Sequence, residues 1–178
     1  MSDGRDWTFV IDGPCAECGY DGSKVAATDV AARLRAAAAT YRSLLQRGDL
    51  VTRRPSPEVW SALEYGCHVR DACRLFAERA TKMIRESDPE FLNWDEGETA
   101  VADRYAEQDP AKVAYALAVE AGKLADLFDK VTGATWQRPG RRSDGATFTL
   151  DTLSRYLLHD VAHHIHDVEV GYDKLTDH

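Results

Sequence analysis

The sequence lacks any apolar run that approaches the roughly 20 residues needed for a membrane-spanning helix. Residues 1–6 are polar and do not resemble a signal peptide. Basic residues are fewer than acidic ones: the chain has 22 Lys and Arg and 30 Asp and Glu, which gives a net charge of −8. This balance argues against nucleic acid or an anionic membrane surface as a partner. We therefore expect a cytoplasmic protein that binds neither.

Cysteine is sparse, with four residues: Cys15, Cys18, Cys67 and Cys73. Without an export signal, we expect them to be reduced, metal-bound or redox-active and not structural disulfides. Cys15-Ala-Glu-Cys18-Gly19 has the shape of half a zinc knuckle, and Pro14 and Gly19 suit a tight ligand turn. Two thiolates need two more ligands to close a tetrahedral site. The competing interpretations are a redox pair or two thiols that simply pack, as we expect of Cys67.

The apolar periodicity predicts four amphipathic helices in one domain. They cover residues 26–47, 58–85, 110–131 and 150–170. Ser56-Pro57 and Asp109-Pro110 are typical helix starts, with a capping side chain followed by Pro at the first helical position. Thr149 is the expected cap of the last helix.

The connections between the predicted helices differ in length and composition. Residues 87–109 form a long acidic link, which indicates a crossover along a helical bundle. Residues 133–148 are expected to be a loop. This loop contains Arg141 and Arg142, which are candidate contacts for a substrate anion, although a solvated loop is the simpler interpretation.

We therefore predict an all-α fold, a four-helix bundle with a long crossover connection. A short irregular arm, residues 1–24, carries the Cys-x-x-Cys pair. The bundle spans residues 25–172, and residues 173–178 are expected to be a tail.

Histidines concentrate near the C-terminus, where four of the six fall within eight residues. On a helix, His159, His163 and His166 share one stripe, while His164 points about 100° away from it. His159 and His163 are four residues apart, a spacing that lets two imidazoles reach one metal ion. The alternative is a solvated or hydrogen-bonded set of histidines. His68, on the second predicted helix, lies at a depth that allows a shared site with this pair.

Two motifs carry a family resemblance. Residues 60–71 contain Trp60-Ser61, Glu64, His68 and Asp71 in the spacing W-S-x-x-E-x-x-x-H-x-x-D, and residues 158–166 contain an H-x-x-x-H pair. Together they resemble the DinB/YfiT-like family over about residues 25–170. The resemblance implies a four-helix bundle with a right-handed crossover.

The resemblance also implies a divalent metal, zinc or nickel, held by His68, His159 and His163. Many relatives have Gln at the position of His166, which would make His166 a fourth ligand or a group that supports one. The Cys-x-x-Cys arm is outside the core family pattern and resembles an extension of some actinobacterial members. If Cys15 and Cys18 fold over the bundle, they would close the centre.

Because the family includes mycothiol-dependent maleylpyruvate isomerase and the bacillithiol transferases, the resemblance implies a thiol S-transferase or isomerase. Its substrates would be a small electrophile and a low-molecular-weight thiol. Glu64, Asp160 or His166 would orient ligands or move protons, and Arg141 or Arg142 would meet an anionic substrate. A metal lowers the pKa of a bound thiol and so makes it nucleophilic.

Three other functions stay open at this point. The same histidines would serve a metal-dependent hydrolase. Cys15, Cys18 and helix-4 histidines would instead build a non-catalytic zinc or redox-sensing centre. A bundle with a degenerate site would act as an interaction module or homodimer.

Overall fold

Four long helices and one short helix account for most of the computed structural model, which describes residues 7–177. They are α1 (Val30–Leu44), α2 (Ala62–Arg85), α3 (Glu96–Ala102), α4 (Pro110–Phe128) and α5 (Leu150–Thr176). The helices α1 and α2 each pack against both α4 and α5, so the order around the bundle is α1, α4, α2, α5. The predicted four-helix bundle with a long crossover is confirmed, and α3 lies in that crossover. Residues 1–6 of the predicted arm and His178 of the predicted tail lie outside the described residues.

Two helix starts predicted from the sequence are confirmed. The side chain of Asp109 accepts hydrogen bonds from the amides of Ala111 and Lys112, and Pro110 occupies the first helical position of α4. Thr149 caps α5 by accepting a hydrogen bond from the amide of Thr152. These side chains satisfy amides that have no partner inside the helix.

The start predicted for α2 is wrong. Ser56 and Pro57 lie in a turn, and α2 begins at Ala62 after a capping box made by Ser61 and Glu64. The hydroxyl of Ser61 accepts from the amide of Glu64, while the Glu64 carboxylate accepts from the amide of Ser61 at 2.9 Å. The reciprocal pair satisfies two free amides, and Ser56-Pro57 offers no such pair.

The last helix is longer than predicted, so the proposed tail at residues 173–178 is wrong for its described part. The helix α5 continues to Thr176 because its final turns still pack against the bundle. Tyr172 is 2 % exposed, and its hydroxyl donates a hydrogen bond to the carbonyl of Leu44 at 2.7 Å. The first helix is shorter than predicted, because residues 27–29 form a 3-10 turn before α1.

A small sheet occupies part of the segment predicted as a loop. The strands are β1 (Glu90–Phe91), β2 (Pro139–Arg142) and β3 (Thr147–Thr149), in the order β1-β2-β3. β1 and β2 are parallel, and β2 and β3 form a hairpin. Strands of two to four residues are too short to show an alternating pattern in the sequence. The hairpin places Arg142 above the bundle, where it borders the cavity described below.

The arm packs on the bundle before α1 begins. Val10 and Ile11, in a 3-10 turn at Thr8–Ile11, and Val25 are buried. Gly22 is required by close packing, because a Cβ there would overlap the carbonyl oxygen of Val10. The arm therefore has a fixed position along α5. Among the described residues, no helix is long and apolar enough to cross a membrane.

The capping assignment predicts the effect of two serine substitutions. Ser61→Ala removes the α2 cap and should lower the free energy of unfolding by about 1–2 kcal/mol. Ser56→Ala should change it by less than about 0.5 kcal/mol, because Ser56 caps no helix. Urea denaturation of both variants measures the difference, and equal losses would contradict the assignment.

Candidate metal centres

Helix α5 carries two adjacent pairs of potential metal ligands. His159 and His163 lie one turn apart on one stripe, and Asp160 and His164 lie one turn apart on the next. Successive residues on a helix differ in direction by about 100°, so the two stripes face different neighbours. The first stripe meets the N-terminal arm, and the second meets α2. Each stripe completes a separate ligand group.

We call the first group the bundle site; it consists of His68, Asp160 and His164. His68 Nε2 lies 3.4 Å from Asp160 Oδ1, and His164 Nε2 lies 3.5 Å from the same oxygen. The other carboxylate oxygen, Oδ2, is buried and lies 3.3 Å from His68 Nε2, but it makes no well-aligned hydrogen bond within the described part of the chain. Two imidazole nitrogens and a buried carboxylate fit a divalent cation.

The orientation of His164 is fixed by Asp167. His164 Nδ1 lies 2.9 Å from Asp167 Oδ2 and donates a hydrogen bond to it, so once a metal displaces the proton of Nε2, the Nε2 lone pair faces the site. A carboxylate behind a metal-binding imidazole sets its tautomer and raises its basicity. The ring of Trp94 stacks on His68, with centroids 5.0 Å apart and planes 5° apart. Both imidazoles of the bundle site are thus held by their neighbours.

The charges at the bundle site also favour a cation. Burial raises the pKa of Asp160, but the imidazoles of His68 and His164 outweigh it and hold the pKa well below its usual range. Burial lowers the pKa of His164, but Asp160 and Asp167 outweigh it and raise the pKa to about 9. In the metal-free chain, the carboxylates therefore already stabilise one positive charge at this position.

A cavity of about 910 Å³ adjoins the bundle site. Its wall includes all three bundle-site residues and the aromatic rings of Trp60, Phe76, Trp94 and Tyr156. The guanidinium groups of Arg79 and Arg142 line the same space. A volume of this size accommodates a drug-sized ligand.

We call the second group the arm site; it consists of Cys15, Cys18, His159 and His163. One potential ligand atom from each residue lies within 4.8 Å of those of the other three. Burial and the neighbouring His163 lower the pKa of His159 to about 4, and burial also lowers the pKa of His163. Both imidazoles are therefore neutral at physiological pH, which is the form that binds a metal.

All three histidines of the ligand set predicted from the sequence, His68, His159 and His163, line the cavity, but they do not fall in one ligand group. His68 groups with Asp160 and His164, while His159 and His163 group with the two cysteines of the arm. The pair Asp160 and His164 has the same four-residue spacing as the histidine pair, but it lies one residue further along the helix. A search for histidines alone overlooks this pair. His164 does point away from the stripe of His159, and it does so toward α2.

Glu64 and His166, predicted to be catalytic, do not line the cavity. Glu64 is 3 % exposed and its carboxylate is bound by the amide of Ser61 and by the guanidinium of Arg54, whose Nε lies 2.9 Å away. These contacts lower its pKa against the effect of burial. Glu64 therefore acts in the helix cap. His166 belongs to neither ligand group among the described residues, although it lies on the same stripe of α5 as His159, two turns further along.

The two candidate arginines occupy different environments. Arg141 is exposed and pairs with Asp88 at 2.7 Å, away from the cavity. Arg142 lines the cavity and pairs with Asp144 at 2.8 Å. Arg79 also lines it, and sequence reasoning missed this residue. The available signal was its position on the apolar stripe of α2, between Phe76 and Met83, where a charged residue is unusual.

The sequence matches a known protein family. The DinB superfamily model matches residues 26–168. The chain belongs to the DinB superfamily. Its fold is shared with a solved DinB-like structure, "YfiT from Bacillus subtilis", which is described as a probable metal-dependent hydrolase with an unusual four-helix bundle topology. The two are 17 % identical, and the match covers 84 % of this chain and 87 % of that one with a TM-score of 0.75. No curated protein matches the sequence.

For this DinB superfamily member, the bundle site predicts a contrast between two neighbouring histidines. Loss of a residue that only hydrogen-bonds a metal ligand weakens metal binding by about 10- to 100-fold. His164→Ala removes a ligand itself, so it should weaken metal binding at the bundle site by more than this. His166→Ala should leave binding unchanged. Zinc content after dialysis against a weak chelator measures both, and loss in the His166 variant alone would contradict the assignment.

Asp167 provides a second test, because it supports His164 without belonging to the group. Asp167→Asn should weaken zinc binding at the bundle site by about 10- to 100-fold. Glu169→Gln, an exposed change on the same helix, is the control. Calorimetric titration of the metal-free variants with Zn²⁺ measures the affinities. Unchanged affinity in the Asp167 variant would show that the carboxylate does not orient His164.

Proposed function

We propose that this protein is a metal-dependent enzyme that joins a low-molecular-weight thiol to a small anionic electrophile, as an S-transferase or isomerase. One observation carries the proposal. His68, Asp160 and His164 form a three-ligand group on the wall of a cavity of about 910 Å³. Catalytic metal sites keep three protein ligands and leave a position for a reactant.

His68, Asp160 and His164 would hold the metal. A divalent cation bound there would supply Lewis acidity, which lowers the pKa of a thiol that it binds. The donor set of two nitrogens and one carboxylate is compatible with zinc and nickel, the metals expected from the family resemblance. Asp167 keeps His164 in the tautomer whose Nε2 faces the cation.

The size and lining of the cavity support a reaction with two reactants. Its volume lies near the upper end of the roughly 300–1,000 Å³ range of small-molecule sites. Trp60 and Trp94 place broad apolar surfaces beside the ligand group. A thiol and an electrophile would share this space.

Arg79 and Arg142 support an anionic substrate. Arg79 is 5 % exposed, donates from Nη2 to the carbonyl of Leu92 at 2.8 Å, and makes no ion pair within residues 7–177. Its Nε is buried without a hydrogen-bond partner in that range. Burial lowers its pKa to about 10, so the group still carries a charge at neutral pH. A carboxylate or phosphate entering the cavity would provide the missing counter-charge.

A metal-dependent hydrolase is the second candidate. The observation that favours it is the carboxylate in the ligand group, because two histidines and a carboxylate also hold the zinc of hydrolytic enzymes. The structural relative YfiT is described as a probable metal-dependent hydrolase. In this case water would replace the thiol as nucleophile, in the same cavity and with the same three ligands.

A substrate screen distinguishes the two candidates. Zinc- or nickel-loaded protein is incubated with mycothiol or bacillithiol and a panel of electrophiles that carry carboxylates, and the products are identified by mass spectrometry. We expect thiol conjugates or thiol-dependent isomers, which disappear in His164→Ala but not in His166→Ala. Thiol-independent hydrolysis would replace the first candidate by the second. Absence of both reactions across the panel would contradict the proposal.

The anion contact predicts a specific kinetic effect. Arg142→Gln removes a charge-assisted hydrogen bond worth about 1.5–3 kcal/mol, so KM for an anionic substrate should rise by roughly 10- to 160-fold. A neutral ester of the same substrate should be affected much less. Arg141→Gln is the matched control, because Arg141 lies outside the cavity. An equal effect of both variants would contradict a direct contact by Arg142.

A further inference from the structure

We propose that the arm site is a second, closed zinc centre, in which Cys15, Cys18, His159 and His163 fasten the N-terminal arm to α5. This centre is separate from the bundle site and has a structural role. The inference does not depend on the reaction proposed above. It concerns what holds one wall of the cavity in place.

The cysteine side of the centre is a preformed turn. The amide of Cys15 donates to the carbonyl of Tyr20 at 2.7 Å, and the amide of Gly19 donates to the carbonyl of Cys15 at 2.9 Å. Gly19 has a φ of 73°, a conformation that favours glycine. This geometry brings the two thiols together as free cysteines without a disulfide between them. The Cys-x-x-Cys-Gly turn thus has the form of a zinc knuckle.

The histidine side comes from α5 and matches the turn in distance. Zinc bonds of about 2.3 Å to sulfur and about 2.0–2.1 Å to nitrogen place tetrahedral ligand atoms about 3.3–3.8 Å apart. Cys15 Sγ and His163 Nδ1 are 3.7 Å apart. The four ligand atoms lie within 4.8 Å of one another, so small side-chain movements bring the remaining pairs to the separations that one zinc ion requires.

The surroundings of the two histidines also indicate a metal. His163 turns Nδ1 toward the cysteine and Nε2 toward two carboxylates, with Glu17 at 3.6 Å and Asp167 at 3.8 Å. Metal-bound histidines typically direct their second nitrogen to a carboxylate, and both carboxylates here lie just beyond hydrogen-bond distance of Nε2. His159 Nε2 is buried and has no hydrogen-bond partner in the described part of the chain. Such a nitrogen is costly unless a ligand satisfies it.

Much of the centre is covered by protein. Cys15 is 2 % exposed, and Cys18 is partly exposed. The ring of Trp7 covers both histidines, with centroid distances of 5.2 Å to His159 and 4.9 Å to His163. Four protein ligands fill a tetrahedral zinc ion and leave no position for a substrate.

The position of the arm means that the arm site would affect the cavity. Trp7, Thr8 and Glu17 line the cavity beside the bundle site. Other attachments of the arm include a hydrogen bond from the Tyr20 hydroxyl to the carbonyl of Arg155 at 2.8 Å and the burial of Val10. Zinc at the arm site would join the arm to α5, two segments that are far apart in the sequence. Its binding energy would therefore stabilise the fold and fix that wall of the cavity.

Asp167 links the two centres. One carboxylate oxygen lies 2.9 Å from His164 of the bundle site, and the other lies 3.8 Å from His163 of the arm site. Zinc at the arm site would therefore fix the position of His163 beside Asp167, while the ligands of the bundle site would all be present with or without it. The arm centre should influence the geometry of the bundle site without being needed for metal binding there.

The test is X-ray absorption at the zinc edge on full-length protein purified without added metal. His68→Ala serves as the variant that isolates the arm site. We expect its zinc to have two sulfur and two nitrogen neighbours. A spectrum without sulfur, absence of zinc, or a Cys15–Cys18 disulfide found by non-reducing peptide mapping would overturn the proposal.

Paired cysteine variants provide the control. Cys15→Ser with Cys18→Ser should lose one zinc per chain, lower the Tm, and expose the arm to limited proteolysis. Cys67→Ala with Cys73→Ala should keep that zinc, because these cysteines lie in the core. If the first double variant does not fold, the number of sulfur neighbours of zinc in the His68→Ala spectrum still tests whether the cysteines bind zinc. Failure of the thiol reaction with an intact sulfur-bound zinc would count against the proposed function alone.

Discussion

The functional part of this molecule depends on the rotation of about 100° between neighbouring residues of an α-helix. On α5, this rotation directs His159 and His163 to the arm and Asp160 and His164 to α2. A single helix thereby supplies half or more of the ligands to each of two groups. The bundle holds α5 between α1 and α2, so the second stripe meets His68 and the cavity. The arm packs along the same helix and covers the first stripe.

Much of the fold could be predicted because local signals and global packing agree. The Asp109-Pro110 and Thr149 starts use side chains that satisfy free amides, and the apolar stripes that follow are long. The start of α2 could not be placed by the same rule, because Ser56-Pro57 and Ser61-Glu64 are both plausible caps. In the structure the second one forms, and Arg54 also binds the Glu64 carboxylate, a contact that belongs to the tertiary structure.

The candidate site was less predictable, for reasons of direction and distance. Spacing alone identifies a pair of residues on one face of a helix, but it does not identify the neighbour that the face meets. His159/His163 and Asp160/His164 have equal spacing, and their assignment to different groups requires the position of the arm. The arm has no helical periodicity, so the sequence could show that Cys15 and Cys18 need partners without showing which ones. The place of Arg79 in the site could not be predicted, because it depends on the position of the cavity.

Anomalous diffraction from crystals of the zinc-loaded protein tests the central claim, that α5 divides its ligands between two metal centres. The account predicts two separate zinc positions in each chain. One lies among His68, Asp160 and His164, and the other lies among Cys15, Cys18, His159 and His163. A single zinc bound jointly by His68, His159 and His163 would contradict it.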